Sequence, residues 1–321
     1  MLRPTALIPV IFGLAALVLT LLCIFAGSKP SFMQVRFTPS PPLLALLSSN
    51  MHKTQDYSII TLNTSRIGQN VFNTTSSTNS DSNIFSQIWD NVTNSIESSL
   101  NTDINSFAKE LGLHDFYSAH LLDYCEGYYT PTAVPNATFP KSDIGINVTA
   151  CSNRTSFFHF DPTTALQREL NKTGTGITLD ELHWPSAVNS GIHTLRIAQK
   201  AAFLLYCIAS GLIILATAFS LLSFFVHGRL SAFIDILLWT LAFFAALLAS
   251  AITTAVAVKA ANVVNEHGKQ VGVTASRGGK FMALTWVATG LCALNVFVWV
   301  FECLRGKRRR NRESFVGRVE K

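Results

Sequence analysis

The stretch Ala201-Ala-Phe-Leu-Leu-Tyr-Cys-Ile-Ala-Ser-Gly-Leu-Ile-Ile-Leu-Ala-Thr-Ala-Phe-Ser-Leu-Leu-Ser-Phe-Phe-Val226 contains no charged side chain. A helix lying on a soluble core would carry polar residues at every second or third position, and this one does not. About 20 apolar residues cross the roughly 30 Å of bilayer hydrocarbon, so the run is long enough to span a membrane. Three further runs have the same character: Leu7 to Ala26, Ala232 to Val258 and Phe281 to Phe301. The runs 201–226 and 232–258 exceed the minimum length, which allows tilt or a thicker bilayer. Across the chain 49% of residues are apolar and 14% charged, and their clumping excludes a single globular core.

The implied fold class is an all-α membrane protein: a four-transmembrane-helix bundle with a large, partly helical first loop clamped by a disulfide. Its segments are 1–26 (N-terminus and first span), 27–198 (first loop), 199–303 (spans two to four) and 304–321 (tail). The first run also resembles a signal peptide, since Arg3 precedes it and Ala26-Gly27-Ser28 follows. Its apolar core exceeds the usual 7–15 residues of a cleaved leader, so a retained span is expected.

Orientation follows from two independent signals. N-x-[ST] acceptor sites occur at Asn63, Asn73, Asn91, Asn136, Asn147, Asn153 and Asn171, all between the first and second apolar runs. Glycan transfer is lumenal, so segment 27–198 is expected outside. From Leu304 onward, eight basic residues (Arg305, Lys307, Arg308, Arg309, Arg310, Arg312, Arg318, Lys321) face two acidic ones (Glu313, Glu320), a balance of +6. That equals the net charge of the whole chain, +6. Basic flanks stay cytoplasmic, so both termini are expected inside. Lys259, Lys269, Arg277 and Lys280 in the second outer loop oppose this mildly and are outvoted.

The first loop is uneven. Residues 31–83 are rich in Ser, Thr, Asn and Pro and read as mostly irregular. Ile88, Trp89, Val92, Ile96, Leu100, Ile104, Phe107 and Leu111 recur at helical spacing, and Gly112 would stop that helix. A second helical stretch is expected from Phe116 to Tyr124. Pro131, Pro135 and Pro140 then enforce loops, and Gly174-Thr-Gly176 and Trp184-Pro185 mark turns. In the third span, Ala242, Ala245, Ala246, Ala249, Ser250 and Ala251 would allow close helix approach, unless alanine is simply common there.

Cys23, Cys207 and Cys292 lie within spans and Cys303 at an inner end, leaving Cys125 and Cys151 outside. Two thiols in an oxidising compartment should pair, for roughly 3–4 kcal/mol by chain-entropy arguments. Two free buried thiols are the alternative. Cys303 is either an acylated or a bare interfacial thiol. Arg305, Lys307, Arg308, Arg309, Arg310 and Arg312 read as an anionic-lipid-binding tail at about 1 kcal/mol per residue, or as a retention signal alone. Four spans exclude a nuclear or nucleic-acid role.

Catalytic chemistry is not indicated. G-x-S-x-G, Walker and Rossmann glycine patterns are absent, and no cofactor or metal is expected. His52, His114, His120, His159, His183 and His193 lack ligand spacing, although they could sense external pH. Glu126 and Asp161 show no pairing partner in sequence. Asp235 and Glu302 lie near inner span ends, where they would reach water and meet Arg229 or Arg305. Transport through the bundle is therefore disfavoured.

Leu111-Gly-Leu-His-Asp-Phe-Tyr-Ser-Ala-His-Leu-Leu-Asp-Tyr-Cys-Glu-Gly-Tyr-Tyr-Thr-Pro131, followed by Asn147-Val-Thr-Ala-Cys151-Ser-Asn-Arg-Thr-Ser-Phe-Phe-His-Phe-Asp161-Pro162, resembles the hallmark of the fungal Sur-seven/PalI family. That hallmark is a Tyr-Cys-x-Gly element, a second Cys-Ser element and an aromatic–Asp-Pro end, and the residues between 84 and 162 form its core. The resemblance implies a plasma-membrane protein of cortical patches, the furrow-like eisosome domains, tied to endocytosis and cell-wall integrity. Implied partners are anionic inner-leaflet lipids, further copies of the chain or cortical eisosome proteins, and the wall. The architecture is similar to that of claudins, but the claudin Trp-Gly-Leu-Trp element is missing. The PalI branch assists ambient-pH signalling as an accessory receptor subunit. The Leu-Asp-Tyr-Cys-Glu-Gly-Tyr-Tyr block is closer to the patch-protein branch.

Overall fold

The structure, a computed structural model, describes residues 7–27, 57–67, 112–133, 140, 143–173, 178–179, 186–225, 229–270 and 272–319. In chain order the elements are α1 (Leu7–Phe25), β1 (Ile60–Asn63), β2 (Phe116–Ala119), β3 (Tyr124–Thr130), β4 (Gly145–Cys151), α2 (Pro162–Thr173), α3 (Ser186–Phe225), α4 (Arg229–His267), β5 (Thr274–Arg277) and α5 (Gly279–Val319). They divide into two units. One comprises Met1–Ala26, Ala198–Thr254 and Gly279–Lys321, and the other Gly27–Ile197 and Ala255–Gly278.

The first unit holds four helices long and apolar enough to cross a membrane: α1, and the apolar parts of α3, α4 and α5. Its interior joins Ala16, Ile213, Ala216, Ala232, Trp239, Ala242, Cys292 and Trp299, one or more from each helix. Small side chains are what permit this. A Cβ on Gly13 would stand 2.4 Å from Thr217 Oγ1 and 2.8 Å from the Trp239 ring, so only glycine fits there. Along α4, Ala242, Ala245, Ala246, Ala249 and Ser250 are buried, while Ala251 is exposed. Ser250 Oγ lies 3.1 Å from Thr289 Oγ1 of α5, a polar tie between two apolar helices. Leu204, Ile208, Leu222, Phe233, Phe244 and Phe297 point outward. So much exposed apolar surface is tenable in lipid and not in water.

The second unit is built on a five-stranded sheet in the order β4-β3-β2-β1-β5, antiparallel at every pairing. This corrects the expected helix from Phe116 to Tyr124. His120 N donates to Asp123 O at 2.9 Å and closes a turn, so the segment is the hairpin joining β2 and β3. Its apolar spacing fits either period over so short a run, and Phe116 and Tyr117 favour the pleated surface. Segment 31–83 is also not irregular throughout: Ile60–Asn63 lies between β2 and β5. No four-residue strand signals its place alone. Long-range pairing fixes it. The amphipathic helix expected over 84–111 falls outside the described residues.

On one face of the sheet, Ile60, Leu62, Tyr117, Ala119, Tyr124 and Ala275 meet Ala165, Leu166 and Leu170 of α2 and Ala261 and Val264 of α4. The first loop thus shares its core with residues 255–278. Asp161 caps α2: its Oδ1 accepts from Thr164 N at 3.1 Å, and Pro162 opens the helix where no N–H is needed. The aromatic–Asp-Pro motif is therefore a helix start, and Asp161 is not the unpartnered carboxylate its sequence context suggests.

Candidate functional site

Cys125 and Cys151 sit directly opposite each other on β3 and β4, Cα to Cα 4.0 Å, and are disulfide-bonded. The next register step slips, with Glu126 facing Ala150 and Gly127 facing Val148, so Thr149 is the extra residue of a bulge. A Cβ on Gly127 would lie 2.0 Å from the Asn147 carbonyl oxygen. The Tyr-Cys-x-Gly element is thus one device: a cysteine at the bridge, and a glycine where two backbones touch.

Beside the bridge, the β2–β3 turn buries charge. His120 and Asp123 are each 1% exposed. Burial pushes the His120 imidazole down to about 4, with the Tyr57 backbone opposing and the Arg154 charge adding to the effect. Asp123 is pushed up to about 6 by burial, against the pull of Arg154, whose Nε lies 3.5 Å away.

Strand alternation places the Glu126 side chain on the same face as Tyr117 and Tyr124, the face that packs against α2. There His114, Glu126 and Glu169 bring one potential ligand atom each within 4.8 Å of one another. Glu126 follows Tyr124 by two residues on β3 and opposes Tyr117 on β2, while Glu169 projects from α2 between Ala165 and Leu170. Lys172 Nζ donates to Glu169 Oε1 at 2.7 Å, leaving Oε2 3.7 Å from His114 Nδ1. Burial holds the Glu126 carboxyl above its usual range, and Glu169 raises it further. Burial holds His114 below its usual value, partly offset by Glu169. Sequence inspection missed this cluster because its members are far apart in the chain. The one available signal was a Glu on the inward-facing parity of a strand beside Tyr124.

The sequon asparagines are dispersed. Asn147 on β4, Asn153 after it and Asn171 on α2 are exposed. Asn63 on β1 is half-buried, and its Oδ1 accepts from Ser65 N at 3.0 Å and Ser65 Oγ at 2.7 Å. Asn73, Asn91 and Asn136 lie outside the described residues. Near the chain end, α5 runs unbroken to Val319 and so carries Lys307, Arg308, Arg309, Arg310 and Arg312 on helix. The Arg305 guanidinium stands 5.0 Å from the Phe301 ring centroid, and Cys303 is exposed.

Asp235 departs from expectation. It does not reach water: it is 0% exposed and accepts from Ser220 Oγ at 3.1 Å and from Ser223 Oγ. Trp239 Nε1 donates to the same Ser220 at 3.0 Å. A carboxylate in this apolar setting is retained because hydroxyls on α3 satisfy it, which makes it a polar tie between α3 and α4.

A four-helix apolar unit joined in one chain to a disulfide-clamped antiparallel sheet defines a multi-pass membrane protein with a structured extramembrane unit. The chain belongs to the SUR7/PalI family, whose description matches residues 5–298. The match takes in three of the apolar helices, the fourth as far as residue 298, and the two-cysteine block. No curated protein and no solved structure matches the chain.

Proposed function

We propose that this chain is a non-enzymatic organiser of the plasma membrane, acting in stable cortical patches tied to endocytosis and wall integrity. The observation carrying this reading is family membership combined with the form of the sheet unit. Its most characteristic residues are spent on architecture. Cys125 and Cys151 form a bridge, Gly127 a close backbone approach, and Asp161-Pro162 a helix cap. Exposed Asn147, Asn153 and Asn171 fit a glycan-bearing surface turned to the wall, with both termini cytoplasmic. The helix carrying Lys307 to Arg312 then faces anionic inner-leaflet lipid. Lateral association with further copies or with cortical proteins concentrates the chain in patches.

The test is imaging of the tagged protein in living cells beside a deletion strain. Stable, slowly exchanging patches, with wall-stress sensitivity on deletion, are expected. An even surface distribution would overturn the proposal. An alkaline growth defect with normal patches would replace it with the accessory role in ambient-pH signalling.

A further inference from the structure

We propose that His114, Glu126 and Glu169 form a binding site for one divalent transition-metal ion, with Zn2+ the best match to the donor set. The inference goes beyond the organiser role and does not depend on it. It rests on an atom without a partner. Glu126 is 8% exposed, and its Oε2 has no hydrogen-bond partner among the described residues. A Glu126 carboxylate oxygen is one of the three potential ligand atoms that converge within 4.8 Å. A buried carboxyl oxygen left without a partner is expensive, and a cation between the three groups answers it.

The neighbouring groups are disposed for such an ion. His114 Nδ1 is buried and makes no hydrogen bond among the described residues, and its ring is braced against Tyr128 at 4.9 Å between centroids. Glu169 divides its oxygens, Oε1 to Lys172 at 2.7 Å and Oε2 toward His114 at 3.7 Å. Lys172 thus acts as the outer partner that orients a ligating carboxylate. With a neutral imidazole, two carboxylates and one ammonium, the net charge of the cluster is −1, which a divalent ion overcompensates by one. Tetrahedral Zn2+ with ligands at about 2.1 Å needs donor atoms about 3.4 Å apart, so the three close in only modestly. One imidazole nitrogen and two carboxylate oxygens leave the fourth position to water. The site would pin α2 to β3 and to the entry of β2 across the shared core.

The full-length protein, purified in detergent without a polyhistidine tag and stripped with chelator, is titrated with Zn2+ and separately with Co2+. One equivalent is expected to bind, with d–d absorption from Co2+ and a Zn2+-dependent rise in thermal midpoint of at least about 5 °C at saturation. Glu126→Gln and Glu169→Gln should each weaken binding tenfold or more. Both should keep the non-reducing mobility of the Cys125–Cys151 bridge. Glu126→Gln should be at least as stable as the stripped parent, since it removes a buried acid. No stoichiometric binding by the parent overturns the proposal, whatever the variants do. Equal binding by parent and both variants overturns it as well, placing the metal elsewhere.

Discussion

Gly127 and His120 show how single positions carry this fold. With the Asn147 carbonyl 2.0 Å from where a Cβ would stand, Gly127→Ala must push β4 away from β3 at the step beside the disulfide. Overpacking of this kind costs about 1–3 kcal/mol, and a lowered thermal midpoint with reduced surface delivery is expected. An unchanged melting curve would show that the bulge relaxes freely. His120 makes stability depend on pH. Unfolded, it takes up a proton near its ordinary 6.5; folded, not until about 4, so stability falls as pH drops through that window. Asp123 works oppositely. Its folded value near 6 exceeds the ordinary 3.8, so its ionisation opposes folding as pH rises between the two. The two partly cancel between about pH 4 and 6. Removing one exposes the other: Asp123→Asn should lose stability more steeply than the parent on acidification from pH 6.5 to 4. The His120 term alone is on the order of 3 kcal/mol across that range. Thermal melts across the range decide it, and parallel slopes in variant and parent would refute the coupling.

Among elements, α2 separates what a sequence can announce from what it cannot. Its start is written locally, as Asp161 followed by Pro162, and the cap is found with Thr164 N 3.1 Å from Asp161 Oδ1. Asp161→Ala should therefore cost about 1 kcal/mol. Leu166→Ala, which empties a fully buried position in the shared core, should cost 2–5 kcal/mol. Denaturant midpoints of the two variants measured together test the ranking. If the cap cost more than the core residue, α2 would be held by its end and not by its face. The four membrane helices were equally legible, since a run such as 201–226 needs no partner to declare itself. The sheet was not. β1 has four residues, β5 lies in a different loop, and β2 with β3 carries apolar spacing that suits a helix as well as a hairpin. What decides all of them is pairing across distant sequence, which no local window contains. The site followed the same division. Cys125 and Cys151 were readable from compartment and count. The grouping of His114, Glu126 and Glu169 depended on the pairing of β2 with β3 and on a helix packed over that face. Asp235 differs from its sequence context for a related reason: a place near a span end promises water, but Ser220 and Ser223 on the neighbouring helix enclose it.

At the scale of the whole molecule, sequons and basic tail make a joint claim about sidedness that accessibility turns into a graded prediction. A glycan needs an asparagine with an open path to solvent. Asn147, Asn153 and Asn171 offer one, standing exposed on the edge strand β4, on the segment after it and on α2, where the Asn171 Oδ1 accepts from Gln167 Nε2 at 3.0 Å along the exposed helix face. Asn63 does not: it lies on a strand paired on both sides and engages Ser65 through its Oδ1. Each of Asn147→Gln, Asn153→Gln and Asn171→Gln should therefore remove one glycan step on electrophoresis before endoglycosidase treatment, and none after it. Asn63→Gln should leave the mobility unchanged. In intact cells an epitope placed beyond Arg312 should stay protected from external protease, because the basic helix would remain inside. The two arms are independent, since one reads the loop and the other the tail. With an even number of spans between the termini, glycans on the loop and a protected tail together require the N-terminus inside as well. A glycosylated loop with an accessible tail would mean that one of the three apolar helices after the loop does not cross. Unmodified asparagines at all three exposed positions would remove the wall-facing surface from the proposed function.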